Sequence, residues 1–246
     1  MTKDLLIVAA GMGTRLRAKG NLKPLVELCG IPLIERALES AFAAGLSRAV
    51  VVTGYHAEIL ETFLESLSKD TGWHIETIHN PDFMYPNGLS VLKAAEKLSE
   101  SFVLSMCDHF LEPALIEQLL SAGKKQDEIA LAVDGKLNNP YVDLEDVTKV
   151  CTKGRYIANI GKEIPLYNAF DTGVFHAGPA LFEAIEKSGR DQNDYSISGG
   201  MLELAKEKRA VTVDVSGHFW IDVDSPEMHE MATKWLNSNQ PLIASR

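Results

Sequence analysis

The side chains best suited to phosphate chemistry lie near the start of the chain. A short apolar run over residues 5–10 leads into Gly11-Met12-Gly13-Thr14-Arg15, and Lys23-Pro24-Leu25 follows. In a turn of small residues, successive backbone N–H groups converge on an anion, and glycine permits close approach because it has no Cβ. Arg15 adds a planar donor fork and Lys23 a point charge. Two commoner phosphate loops are excluded. No Gly-Lys-Ser/Thr of the Walker type occurs, and Leu16 stands where the dinucleotide fingerprint needs a third small residue. Two glycines alone usually mark a structural turn. Ala9-Ala10 before them, and Arg15 and Lys23-Pro24 after them, turn that weak pattern into a strong one.

A second group is acidic. Asp108 follows the apolar run 102–107, which puts its carboxylate just past the carboxyl end of a strand, where open α/β sheets bind ligands. Its plainer role is a cap or turn before Pro113. Asp222 and Asp224, in Trp220-Ile-Asp-Val-Asp-Ser-Pro226, end the last expected strand. Such carboxylates suit Mg²⁺, a hard ion that prefers oxygen ligands. Asp224 could instead cap the final helix beside Ser225.

Other chemistries find no support. The histidines at 56, 74, 79, 109, 176, 218 and 229 lack the i,i+4 spacing of a zinc protease, and no Gly-x-Ser-x-Gly marks a serine hydrolase. Cys29, Cys107 and Cys151 are scattered, without a Cys-x-x-Cys pair, which points to a reducing compartment. The net charge is −10, so a nucleic-acid partner is not expected and any phosphate site must be a local cluster of cations and N–H groups. The early apolar run is far short of the ~20 residues that span a bilayer, and Lys3-Asp4 lead directly into it, unlike a signal peptide. A cytoplasmic protein without a membrane segment is expected.

The elements that must hold these residues follow from periodicity. Short apolar runs at 5–10, 49–53, 73–78, 102–107 and 129–133 alternate with amphipathic stretches at 32–44, 57–67, 88–98 and 113–122. That alternation is the mark of a mainly parallel sheet covered by helices. Residues 147–151 and 156–160 flank Thr152-Lys-Gly-Arg155 as a hairpin. Strands are then expected at 169–176, 210–215 and 219–223, and helices at 179–187, 200–208 and 225–236. Ser225-Pro226-Glu227 is a strong start signal for the last helix. One domain over residues 1–236 is expected, with 237–246 a polar tail or the start of a linker.

Ala-Ala-Gly-x-Gly-x-Arg-Leu followed by Lys-Pro-Leu resembles the signature of the sugar-phosphate nucleotidyltransferase superfamily. The resemblance implies a doubly wound, Rossmann-like α/β fold of the GT-A nucleotidyltransferase kind. In it, Ala9, Ala10, Gly11, Gly13, Thr14 and Arg15 surround the triphosphate and Lys23 sits near the α-phosphate. It further implies a Mg²⁺ held by Asp108 and by Asp222 or Asp224, with Asp222 the better positional match. Asn87, Gly88 and Ser90 of Pro86-Asn-Gly-Leu-Ser90 would face the base, although Asn-Gly also commonly forms a turn and cap. Arg15, Lys23 and Asp108 would carry catalysis. The loop between Arg15 and Lys23 is shorter than in hexose-phosphate members.

Six segments together resemble the cytidylyltransferases that activate inositol 1-phosphate: Asn87-Gly-Leu-Ser90, Met106-Cys-Asp-His109, Thr148-Lys-Val150, Ile160-Gly-Lys162, Asp171-Thr-Gly173 and Trp220-Ile-Asp-Val-Asp224. That resemblance implies CTP as donor and a phosphorylated small alcohol as acceptor, giving a CDP-alcohol for inositol phosphodiesters or lipids. Lys149 and Lys162 would receive the acceptor phosphate, and Asp134 or Asp171 its hydroxyls. Each of these four could equally be an ordinary surface charge. In some relatives such a domain is fused to a membrane CDP-alcohol phosphotransferase. Phosphocholine and 2-aminoethylphosphonate remain alternative acceptors. A choline site would want an aromatic box, for which Tyr141, Tyr156, Tyr167 and Phe170 are available. A sugar-phosphate nucleotidyltransferase and a non-catalytic nucleotide sensor are the remaining readings.

Overall fold

In β1 (Asp4–Val8) alternate side chains enter two different cores, the period-2 consequence of burying both faces of a strand. The computed structural model describes residues 2–239. After β1 come 3-10 turns at Thr14–Leu16 and Lys23–Leu25, then β2 (Glu27–Leu28), β3 (Ile31–Pro32), α1 (Leu33–Ala43), β4 (Arg48–Thr53), α2 (Ala57–Thr71) and β5 (His74–His79). Next are α3 (Gly88–Lys93), β6 (Phe102–Met106), β7 (His109–Leu111), α4 (Pro113–Ala122) and β8 (Ile129–Asp134). The chain ends with β9 (Lys149–Lys153), β10 (Tyr156–Gly161), β11 (Ala169–Ala177), α5 (Pro179–Gln192), α6 (Ile197–Lys206), β12 (Ala210–Asp214), β13 (Trp220–Asp222) and α7 (Pro226–Asn239).

Nine strands form one sheet in the order β5-β4-β1-β6-β11-β8-β12-β10-β9. β5, β4, β1 and β6 are parallel neighbours, and β8 and β12 are a parallel pair. β11 is antiparallel to both β6 and β8, so those two parallel groups run the same way. The mainly parallel, helix-flanked α/β sheet expected from the sequence is the one found. On one face Leu5, Ile7 and Ala9 pack with α1, α2 and α4; on the other Leu6 and Val8 pack with α3, α5 and α6.

A third, smaller core positions the chemistry. Leu16 and Val26, either side of the basic loop, pack with Phe110 of β7, Ile221 of β13 and Met228, Ala232 and Leu236 of α7. No helix among the described residues is long and apolar enough to cross a membrane.

Several element ends differ from expectation. The helix expected over 88–98 ends at Lys93, because the N–H groups of Ala94 and Ala95 bond three residues back and tighten the chain into a 3-10 turn. The helix expected from Gly200 begins at Ile197, where Ser196 caps it by accepting from the Gly199 N–H at 2.9 Å. α5 runs on to Gln192 rather than stopping at 187. α7 continues through Asn239, so residues 237–239 are helical rather than part of a tail, and 240–246 lie outside the described residues.

Candidate active site

The basic loop is held from both ends. Gly13 adopts φ 56°, a left-handed conformation that favours glycine, and a Cβ there would overlap the stem of Lys23. That close approach lays the Lys23 stem along the loop, and the side chain is only 7% exposed. At Gly11, by contrast, an added Cβ would meet nothing within 4 Å, so the loop is open on that side. Ala9 and Ala10 continue the sheet: the Ala9 N–H bonds the Val52 carbonyl, and the Ala10 carbonyl accepts from Tyr55. Both are buried behind the cleft rather than lining it.

Two chain segments far apart in sequence bring the acids together. β7 and β13 form a short antiparallel ribbon in which His109 faces Asp222, and the Val223 N–H bonds the Asp108 carbonyl at 3.0 Å. Lys23 Nζ donates to both Asp108 and Asp224. Arg15 donates to Asp224 at 2.5 Å and to Asp146 at 2.7 Å, and Lys162 donates to the other oxygen of Asp146 at 2.5 Å. Asp224 therefore does not cap α7. Ser225 does so alone, accepting from the Met228 N–H at 3.2 Å. Nor does Asp108 cap α4, whose start is preceded by Glu112.

The electrostatics separate the carboxylates. Burial works against the charge on Asp108, but Lys23 and His109 outweigh it and hold this group well below the usual carboxylate range. Asp222 is pushed up to about 6, by burial first and then by the neighbouring Asp108 charge. Burial opposes protonation of His109 as well, yet Asp222 and Asp108 raise the imidazole to about 9, so its Nδ1–H donates to Asp108 at 2.9 Å. Burial also raises Asp171 to about 6.

A divalent cation fits this cluster. The atoms of Asp108, His109 and Asp222 lie within 4.8 Å of one another, as do those of Asp146, Asp222 and Asp224. Asp222 belongs to both groups, and its Oδ1 is buried without a hydrogen-bond partner. An orphaned, like-charge-crowded carboxylate oxygen is a group in need of a cation, and the carboxylate oxygens suit a hard ion.

The cleft over these residues has two adjoining spaces of 280 and 330 Å³, with Arg15, Asn87, Met106, Asp108 and Asp224 common to both walls. Gly11, Gly13, Thr14, Lys23, Phe83, Tyr85 and Ser90 line the second. Tyr141, Asp146, Lys162, Asp171, Trp220 and Asp222 line the first. Asn87 reaches across to α6, its Oδ1 accepting from the Ile197 N–H at 3.1 Å. Gly88 does not line the cleft, because its Cα packs against the Tyr195 carbonyl with no room for a side chain.

Two of the anticipated acceptor residues are otherwise engaged. Asp134 is 1% exposed and accepts from the Lys136 N–H, Asn139 Nδ2 and Trp220 Nε1, so its carboxylate ties a turn to β13. Lys149 donates to the Lys162 carbonyl at 2.8 Å and sits over the Tyr167 ring, outside the lining. Lys162 and Asp171 do reach the first space. Asp146, Phe83 and Tyr85 are site residues that the sequence does not single out, whereas Tyr141, one of the four aromatics available for a choline box, does line the first space. Asp146 lies among Asp143 and Glu145 in a stretch that reads as a solvated charged loop, and only tertiary contact distinguishes it.

The profile of the MobA-like NTP transferase domain matches residues 5–204. The chain is 33% identical over 249 aligned residues to a bifunctional IPC transferase and DIPP synthase of Rubrobacter xylanophilus, covering 98% of this chain and 54% of that one. It is 31% identical to the protein of the same name from Aquifex aeolicus, covering 96% of this chain and 52% of that one. The chain thus spans about half the length of these curated relatives. Among solved structures, the inositol-1-phosphate CTP transferase from T. maritima superposes with a TM-score of 0.82 at 24% identity, over 96% of each chain. A UDP-glucose pyrophosphorylase complexed with UDP-glucose superposes with a TM-score of 0.77 at 22% identity, over 97% of this chain and 99% of that one. Both share the α/β sheet and flanking helices described above. With the glycine loop, the acidic cluster and the family profile in agreement, the chain belongs to the MobA-like NTP transferase family and is a nucleotidyltransferase.

Proposed function

We propose that the chain transfers CMP from CTP to inositol 1-phosphate in the presence of Mg²⁺, giving CDP-inositol and pyrophosphate. One observation carries this reading. Arg15 and Lys23 meet a four-carboxylate cluster between the glycine-lined second space and the first space, walled by Lys162 and Asp171. A triphosphate and a phosphorylated polyol require that division. Arg15 and Lys23 come from one end of the described chain and Asp222 and Asp224 from the other, so the catalytic domain is taken to span residues 1–236 as one unit.

The chemistry asks for no general base, because the acceptor phosphate is already an anion. One of its oxygens attacks the α-phosphorus; the new P–O bond forms as the bond to the β-phosphate bridging oxygen breaks, and the electron pair leaves with pyrophosphate. Catalysis is then alignment and charge neutralisation. Lys23 would meet charge growing at the α-phosphate, while Arg15 and the loop N–H groups hold the leaving pyrophosphate. Asp108 and Asp222, with Asp224 beside them, would hold Mg²⁺, which supplies charge neutralisation and orientation of the triphosphate.

The first space favours a polyol over choline. Of Tyr141, Tyr156, Tyr167 and Phe170, only Tyr141 lines it, so these rings form no aromatic box. A site built to bond hydroxyls also disfavours acceptors lacking them, since its own buried polar groups go unpaired. The names of the relatives, IPC transferase and inositol-1-phosphate CTP transferase, agree with this choice. The test is pyrophosphate release across CTP, UTP, GTP and ATP, each paired with inositol 1-phosphate, phosphocholine, 2-aminoethylphosphonate and glucose 1-phosphate. CTP with inositol 1-phosphate is expected to lead. Faster turnover with another acceptor removes the inositol assignment, and faster turnover with UTP removes the cytidylyl assignment.

A further inference from the structure

We propose that Asp146 is a positioning residue that couples the two halves of the cleft, withholding the Lys162 ammonium from an incoming phosphate until a divalent cation engages the neighbouring carboxylates. The inference rests on the reading of the two spaces given above.

The geometry is a bridge with one oxygen for each cation. Asp146 Oδ2 accepts from Arg15 at 2.7 Å, on the donor side, and Oδ1 accepts from Lys162 at 2.5 Å, on the acceptor side. The backbone that carries it is bonded in place: the N–H groups of Asp146 and Val147 both bond the Asp143 carbonyl, and the Thr148 carbonyl accepts from the Asp171 N–H at 2.9 Å. The Asp146 segment is therefore tied to β11, while the Lys162 and Arg15 side chains are about half exposed, Lys162 paired with Asp146 and Arg15 with both Asp146 and Asp224.

An ammonium in contact with a carboxylate presents little net charge to a phosphate. A carboxylate atom of Asp146 also lies within 4.8 Å of atoms of Asp222 and Asp224, so a cation held by those two draws on the same carboxylate. Sharing that charge loosens both ion pairs together. Arg15 then becomes available to the triphosphate and Lys162 to the acceptor phosphate. By linkage, phosphate binding must tighten metal binding by the same factor.

The experiment is calorimetric titration of the full chain, without nucleotide, using inorganic phosphate and separately inositol 1-phosphate, with and without Mg²⁺. For the wild type, Mg²⁺ is expected to tighten phosphate binding by about 5-fold or more, the lower end of typical coupling. In Asp146→Asn the metal-free affinity should rise toward the wild-type value with Mg²⁺, and the Mg²⁺ effect should vanish. Asp146→Glu should restore it, and Lys162→Met should weaken phosphate binding with Mg²⁺ while changing the metal-free affinity little. A wild-type Mg²⁺ effect in Asp146→Asn overturns the proposal. So does weaker or undetectable phosphate binding by that variant in both conditions, the result of a role in direct binding or in folding alone. Because the phosphate affinity lost in Lys162→Met reads the Lys162 site whatever alcohol the acceptor carries, inositol 1-phosphate binding no tighter than phosphate counts against the inositol reading and not against the coupling.

Discussion

Asp222 faces His109 across the β7–β13 ribbon, and its half-buried carboxylate beside Asp108 has a buried Oδ1 without a hydrogen-bond partner. The ribbon is clamped by Phe110 and Ile221 to Leu16 and Val26 of the basic loop, so the acids and the cations share one small core.

Asp222→Asn is expected to separate stability from activity. The folded carboxyl is raised to about 6, first by burial and then by Asp108, so between pH ~4 and ~6 the folded chain binds more protons than the unfolded one. The Asp222 contribution to wild-type stability falls as pH rises through that window, and its full penalty is present above it. Removing the charge should therefore raise the metal-free Tm at pH 8, at about 2–4 °C per kcal/mol for a chain of this size. The same variant should lose most turnover and most of the Tm gain that Mg²⁺ gives the wild type. Thermal melts at pH 5 and pH 8 with and without Mg²⁺ check all three effects; an unchanged Mg²⁺ gain excludes Asp222 from the metal site.

Arg15 and Lys23 should differ kinetically. Lys23→Ala is expected to lower kcat by about 100- to 1000-fold with little change in the KM for CTP, the loss expected when one donor to developing charge is removed. Arg15→Ala should raise the KM for CTP as well as lowering kcat. Steady-state kinetics in which Lys23→Ala raises only KM would reverse the two roles.

The two loop glycines should separate fold from binding. Gly13→Ala combines a left-handed φ with overlap on Lys23, and is expected to cost about 1–3 kcal/mol of stability. Gly11→Ala meets no neighbour within 4 Å and should leave the Tm unchanged, while its methyl group, lining the second space, raises the KM for CTP. Equal Tm values for the two variants would show that the Gly13–Lys23 contact does not constrain the fold.

Much of this architecture is legible in the sequence, because strands buried on both faces read as apolar runs and the covering helices as amphipathic stretches. Asp108 and Asp222 are legible for the same reason, each following or ending a strand whose position is plain, and Arg15 and Lys23 are legible from the glycine loop and the Lys-Pro-Leu that follow β1. Asp134 also ends a strand and looks equivalent, yet its carboxylate is spent on Asn139, Lys136 and Trp220. Asp224 resembles a helix cap in sequence and becomes a partner of Lys23 and Arg15 only when β13 docks beside β7. Asp146 carries no local signal, since its partners lie 131 and 16 residues away along the chain. The start of α6 is hidden by Gly199-Gly200, residues that weaken helix propensity but permit close packing, Gly199 against Asp194 and Ser188 and Gly200 against Ile185.

The most direct test of the account is the identity of the product. The chain is incubated with CTP, inositol 1-phosphate and Mg²⁺, and the mixture is followed by phosphorus NMR and mass spectrometry. CDP-inositol and pyrophosphate are expected in equal amounts, with both absent when any one of the three components is omitted. Consumption of CTP without a cytidine diphosphate ester of inositol, or no consumption at all, would contradict the account.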